Sequence, residues 1–149
     1  MAGKRRLLAA VTDLGYVHVR RALGEQFELV PAFSMLQARV AITSDGIAAI
    51  LCSIHFDESR MFDLLHFARH AAPGTPFICC RILHSPLNDG VLAGLAHAAE
   101  IKGALGFIDY HETQRRDGTA AAAKAFCEAV NALLSATETQ AAARRHQQS

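Results

Sequence analysis

The sequence has no excess of charge of either sign and no long hydrophobic run. Its 15 Lys and Arg residues nearly balance its 14 Asp and Glu residues, which leaves a formal net charge of +1. This balance provides no general attraction for nucleic acid or for an anionic membrane. No stretch approaches the roughly 18 apolar residues of a membrane span, and the apolar run at residues 7–11 is too short for a signal peptide. We therefore expect a cytoplasmic protein that binds neither nucleic acid nor membrane.

The cysteines lack the spacing of a zinc or redox site. Cys52, Cys79, Cys80 and Cys127 contain no CxxC pair, and the first three lie within apolar runs. Cysteines of this kind are typical of small buried hydrophobic residues in a reducing compartment. The nucleotide-binding patterns GxGxxG and GxxxxGK[ST] are also absent. The sequence therefore predicts no cofactor and no bound metal.

Five short apolar runs alternate along the chain with helical patterns. Apolar residues at consecutive positions are typical of strands that are covered on both faces. Parallel strands joined by helices cross over in the right-handed sense and lie between two helical layers. The sequence therefore predicts a three-layer, flavodoxin-like (βα)5 domain with a five-stranded parallel sheet over residues 1–136, followed by a disordered C-terminal tail over residues 137–149. The predicted strands are residues 7–11, 27–33, 47–54, 76–83 and 104–108.

Capping residues and glycines indicate where the helices begin and end. The first predicted helix ends near Gly24, and the third begins after an N-cap at Asp57 or Ser59. The fourth begins after an N-cap at Asn88 or Asp89. The last helix has the clearest apolar stripe, formed by Ala122, Phe126, Val130, Leu133 and Leu134.

Polar residues follow the predicted strands at their carboxyl ends, where ligand chemistry in a parallel sheet gathers. They include Arg81, which ends an apolar run, and a guanidinium there is costly unless it is paired. Asp13, Asp57 and Asp109 are all candidate partners at the same edge. We favour an internal ion pair for Arg81 over a site for an external anion.

The chain resembles the receiver domain of bacterial two-component response regulators. The resemblance covers residues 5–136 and rests on five strand-helix units, with "GALGFI" leading into the end of the last strand. It implies that the acidic pair of a receiver falls on Thr12 and Asp13. The phosphoacceptor position falls on Cys52 or Ser53, the hydroxyl position on Arg81, and the lysine position on Tyr110. His111 stands where proline commonly follows that lysine.

These departures imply a degenerate receiver site. Aspartyl phosphorylation needs a carboxylate nucleophile and a divalent cation held by oxygen ligands. Neither Cys52 nor Ser53 can form an acyl phosphate, and only Asp13 remains of the acidic pair. The resemblance therefore implies a non-enzymatic signalling domain that acts through contacts with a protein partner. Receivers use the region that corresponds to residues 88–136 for such contacts, and we expect a homodimer through the last strand and helix.

A different interpretation treats the edge of the sheet as a working pocket. Cys52 or Ser53, together with His55 and Asp57, offers a nucleophile, a base and a carboxylate, or three ligands for Zn²⁺. Asp109 and His111 extend this alternative pocket, and Arg81 adds an anion-binding group. The chain would then be a small enzyme or a metal- or anion-binding protein. We favour capping of the following helix as the role of the loop acids.

Overall fold

A five-stranded parallel sheet forms the centre of the computed structural model, which describes residues 3–44 and 46–148. Its strand order is β2-β1-β3-β4-β5, and every neighbouring pair is parallel. The predicted flavodoxin-like α/β fold is therefore confirmed, and all five carboxyl ends lie at one edge. The strands are β1 (Arg5–Ala10), β2 (Phe27–Ala32), β3 (Ile47–Ser53), β4 (Phe77–Arg81) and β5 (Gly106–Asp109).

Two helical layers cover the sheet. Side chains of α2, α4 and α5 form one buried cluster with one face of the sheet, and side chains of α1 and α7 form a second cluster with the other face. None of the described helices is long and apolar enough to cross a membrane. The helical segments are α1 (Asp13–Leu23), α2 (Met35–Thr43), α3 (Phe56–Ser59), α4 (Met61–Ala71), α5 (Asp89–Ile101), α6 (Tyr110–Asp117) and α7 (Thr119–Gln148).

Several helix ends match the sequence prediction. Gly24 follows the last residue of α1, and Asn88 caps α5 by accepting a hydrogen bond from the backbone N–H of Val91 at 2.9 Å. Such a bond satisfies a donor that has no partner within the helix. The apolar stripe of α7 packs against the sheet, with Ala122, Phe126, Val130 and Leu134 buried.

The start of the third predicted helix differs from the prediction. Neither Asp57 nor Ser59 caps α4, which begins at Met61 without a side-chain cap. Instead α3 is a left-handed turn in which Asp57, Glu58 and Ser59 have φ values of 43°, 59° and 66°. L-residues adopt this conformation at a cost of roughly 1–2 kcal/mol each. The chain thus enters α4 through a strained connection.

The region after β5 also differs from the prediction. An additional helix, α6, precedes α7, and Gly118 separates the two with φ of 89°. Helix α7 continues through Gln148, so the residues of the predicted tail that the structure describes are helical. Within this part of α7, Glu138 forms an ion pair with Arg5 of β1 at 2.8 Å. Ser149, Met1 and Ala2 lie outside the described residues.

Candidate functional site

Arg81 and Asp109 form an internal ion pair at the carboxyl edge of the sheet. Parallel pairing of β4 and β5 places the two residues opposite each other in register. Arg81 Nε donates to Asp109 Oδ1 at 2.9 Å, and Nη2 donates to Oδ2 at 2.7 Å. The side chain of Arg81 is only 8% exposed. This bidentate geometry is the strong form of an arginine–carboxylate contact. Of the three candidate acids, Asp109 is therefore the partner of Arg81.

Asp109 has a second role that fixes the pair in place. Its Oδ1 accepts a hydrogen bond from the backbone N–H of Glu112 at 3.1 Å, which caps α6.

His111 lies close to Asp109 in the chain and packs against His84, with ring centroids 5.5 Å apart. Burial lowers the pKa of His111 below 6.5, and the nearby guanidinium of Arg81 and the imidazole of His84 lower it further. We call Arg81, Asp109, His111 and His84 the Arg81 cluster, and within it the cationic form of His111 is disfavoured.

The residues at the acidic-pair position serve the first helix. Thr12 caps α1, because its Oγ1 accepts a hydrogen bond from the backbone N–H of Gly15 at 3.0 Å. Asp13 is exposed, and its Oδ1 accepts from the N–H of Leu14 at 2.8 Å. A carboxylate in the first turn suits the positive end of a helix. Neither residue contributes a carboxylate to the Arg81–Asp109 pair.

Cys52 and Ser53 end β3 inside the protein. Both are buried, at 0% and 3% exposure. Burial raises the pKa of the Cys52 thiol well above 9.0, and the neighbouring thiols of Cys79 and Cys80 raise it further. A thiol of this kind is a poor nucleophile because the thiolate is the reactive form. The hydroxyl oxygen of Ser53 is buried and has no hydrogen-bond partner.

The structure does not assemble the alternative pocket. Asp57 Oδ2 accepts a hydrogen bond from the backbone N–H of Met35 at 2.8 Å, so it serves the first turn of α2, the neighbouring helix. His55 lines an apolar cleft instead, while Asp109 and His111 belong to the Arg81 cluster. No group of three His, Cys, Asp or Glu side chains is placed to hold a metal ion among residues 3–44 and 46–148. The loop does not form a triad or a zinc site in this arrangement.

Tyr110, at the lysine position, faces away from the Arg81–Asp109 pair. Its ring is 2% exposed and packs edge-on against Phe126 in the cluster formed by α1 and α7. Its hydroxyl and His18 Nδ1 lie 3.1 Å apart in a hydrogen bond. Burial lowers the pKa of His18, and the charge of Arg21 lowers it further. Tyr110 therefore joins α1 to the start of α6 and takes no part in the Arg81 cluster.

Sequence reasoning gave no role to two residues at the carboxyl edge. Ser85 is 4% exposed and its hydroxyl oxygen has no partner, although serine in a loop gives no signal of burial. His84 lies against His111 from a different connection, and a contact between two loops has no sequence period. The cap at Asp109 did leave a signal, because Asp109 and Glu112 have the spacing of a capping box.

Comparisons with solved structures show the receiver fold. The chain is similar to a response regulator from Thermotoga maritima at 14% identity and a TM-score of 0.67, with 89% of this chain and 99% of that chain covered. It is similar to a CheY-like response regulator receiver domain protein from Methanospirillum hungatei at 18% identity and a TM-score of 0.63, with 93% of this chain and 99% of that chain covered. It is also similar to a chain described as adenylate cyclase from Rhodopirellula baltica, at 17% identity and a TM-score of 0.64, with 98% of each chain covered.

No family model matches the chain, and no curated protein sequence matches it. The chain has the fold of response-regulator receiver domains, as its resemblance to that family implied. At identities this low, the likeness extends to the fold and not to the chemistry of the individual sites.

Proposed function

We propose that this chain is a non-enzymatic signalling or regulatory domain that has the receiver fold, carries no aspartyl phosphorylation site and acts through contacts with a protein partner. The observation that carries the proposal is the end of β3, where the buried Cys52 and Ser53 occupy the expected phosphoacceptor position. An acyl phosphate requires a carboxylate that a phosphoryl donor can reach. This position offers none.

The three acids expected at the same edge already have structural partners. Asp13 accepts from the N–H of Leu14, Asp57 accepts from the N–H of Met35, and Asp109 is bound to Arg81. A divalent cation needs several oxygen ligands that converge. In our proposal the guanidinium of Arg81 supplies the fixed positive charge at this edge in place of a metal ion.

Incubation with acetyl phosphate and Mg²⁺ tests the proposal. We expect intact-mass spectrometry to show no phosphoryl adduct, while a receiver that retains its phosphoacceptor Asp becomes labelled under the same conditions. Ser53→Asp is the matched variant, and we expect it also to stay unlabelled, because the new carboxylate would be buried and without a cation. An adduct that peptide mapping assigns to an acid of the carboxyl edge would overturn the proposal.

The region of residues 88–136 is the contact surface that we propose. β5 lies at one edge of the sheet, so its outer backbone groups are available for pairing with another chain. In α5 the side chains of Val91 and Ile101 are 48% and 72% exposed. These features support a homodimer through the last strand and the helices that flank it.

A further inference from the structure

A cleft lies between the β3–α4 and β4–α5 connections. Its volume is about 350 Å³, within the usual range of small-molecule sites. Both connections leave the carboxyl ends of their strands, where ligands of parallel sheets bind. Most of its walls are apolar and include Ile54, Met61, Phe62, Leu87 and Leu95.

Two polar side chains of the cleft lack hydrogen-bond partners. His55 Nε2 and Ser85 Oγ are both buried and unpartnered, and both residues line the cleft. A buried polar atom without a partner costs roughly 1–3 kcal/mol. Two such atoms in one small cleft favour a ligand that completes their hydrogen bonds. The Ser85 hydroxyl turns on a single side-chain bond, so it can be presented to a ligand while the backbone stays in place.

The wall of the cleft also contains strained backbone. Ser59 lines the cleft and is the last residue of the left-handed turn, with φ of 66°. Strain of this kind persists where the surrounding structure holds it, and it is concentrated at ligand sites. This strain is a third feature of the cleft, separate from its volume and from its unpartnered atoms.

We propose that the cleft binds a small, uncharged, apolar molecule that carries a hydroxyl group, of the chemical class of a phenol. The hydroxyl would donate a hydrogen bond to His55 Nε2 and accept one from Ser85, because a hydroxyl does both. His55 is the only titratable residue that lines the cleft within the described residues. No Asp, Glu, Lys or Arg lines the cleft among these residues, so a charged ligand would be desolvated without a permanently charged partner, which is unfavourable.

Phenol, toluene and benzoate are suitable probes. Toluene lacks the hydroxyl, and benzoate adds a charge. We expect phenol to bind on the order of millimolar and to shift the NMR resonances of both connections. Toluene forms neither of the two hydrogen bonds and should bind roughly 10- to 100-fold more weakly, up to about tenfold for each lost bond, and benzoate should not bind. Absence of phenol binding, or equal binding of all three probes, would overturn the proposal.

Two variants locate the probe. Ser85→Ala should weaken phenol binding roughly tenfold and leave toluene binding unchanged, while the free protein melts at the same or a higher temperature because an unpartnered hydroxyl is removed. Ser135→Ala, on the exposed face of α7, is its control. Leu95→Trp should fill the cleft and abolish binding of phenol and toluene. Leu36→Trp, at an exposed position of α2, is its control and should leave the binding of both probes unchanged. Phenol binding that survives both cleft variants would refute this site.

Phosphoryl acceptance and phenol binding are measured separately. A phosphoryl adduct on a carboxyl-edge acid would therefore overturn the proposed function and leave the cleft proposal intact, and the reverse also holds.

Discussion

Replacement of Arg81 should destabilise the protein strongly. Removing the guanidinium leaves Asp109 partly buried, at 27% exposure, without its cation. Breaking a buried ion pair from one side costs about 3–5 kcal/mol. We expect Arg81→Ala to lower the free energy of unfolding by an amount near the lower end of that range, since Asp109 keeps its bond to the N–H of Glu112. Urea unfolding measures the change.

Arg81→Met separates charge from packing, because methionine restores most of the volume but none of the charge. It should destabilise the fold nearly as much as Arg81→Ala. Arg115→Met is the matched control, since Arg115 pairs with Glu112 on the exposed surface and such pairs contribute little. Unchanged midpoints for both Arg81 variants would contradict the ion-pair account and favour a site for an external anion.

At the scale of the element, the turn α3 should respond to glycine in the opposite way to a helix. Glu58 has φ of 59°, where glycine is free of the strain that a Cβ brings. After allowance for the greater flexibility of glycine in the unfolded chain, Glu58→Gly should stabilise the protein by about 0.5–1 kcal/mol. Glu128→Gly, at an exposed site within α7, should destabilise it by about 1 kcal/mol. Thermal melts that show the same sign for both variants would contradict the observed turn.

The strands could be predicted because consecutive apolar residues leave few alternatives for a chain of this size. Helix α6 could not be found in that way, since "YHETQRRD" has no apolar stripe and only its cap at Asp109 is visible in the sequence. The left-handed turn was missed because Asp57, Glu58 and Ser59 are common capping residues and none is glycine. Residues 135–147 of α7 bury no large side chain, so their helical state depends mainly on helix propensity.

The candidate site could be located but its contacts could not. Sequence order places Arg81, Asp57 and Asp109 at one edge of any parallel sheet, whereas the choice of Asp109 depends on the register of β4 with β5. Tyr110 follows directly after Asp109 yet belongs to the opposite helical layer. Neighbours in sequence at the end of a strand can thus serve different layers, and only three-dimensional placement distinguishes them.

For the whole molecule, we expect stability to fall as the pH decreases through about 6.5. Burial holds the pKa values of His18 and His111 below 6.5 in the folded state. The unfolded chain therefore takes up protons at a higher pH than the folded chain, and acid favours unfolding. His111 also faces Arg81 and His84, which act in the same direction, and Asp109 and Glu112, which oppose them. Urea midpoints between pH 5 and pH 8 measure the effect.

His111→Gln should reduce this pH dependence, because it removes one of the two histidines whose pKa is lowered in the folded state. NMR titration of the imidazole C–H signals gives the folded-state values directly. Stability that rises on acidification, or a His111 titration above 6.5, would contradict the prediction.

The oligomeric state tests the proposed contact surface. We expect light scattering at tens of micromolar, where moderate interfaces assemble, to give the mass of a homodimer. Ile101→Asp should shift the population towards monomer, because it places a charge at an exposed apolar site of residues 88–136. Leu36→Asp should have no such effect, because Leu36 is an exposed residue of α2, which follows the opposite edge strand, β2. A monomer for the unmodified chain at this concentration would refute the dimer.

The buried cysteines of β3 and β4 can be used to measure how often the core of the protein becomes accessible to solvent. Cys52, Cys79 and Cys80 are at 0% exposure, and burial raises the pKa of Cys79 to about 12. Cys52 and Cys79 lie under one helical layer and Cys80 under the other, so a thiol reagent can reach them only after a layer separates from the sheet. The rate of labelling then follows the population of open molecules when reclosing is fast. Cys127, which is half-buried on α7, should react first. The lag between the two classes of thiol is then a measure of how often the centre of the sheet opens under native conditions.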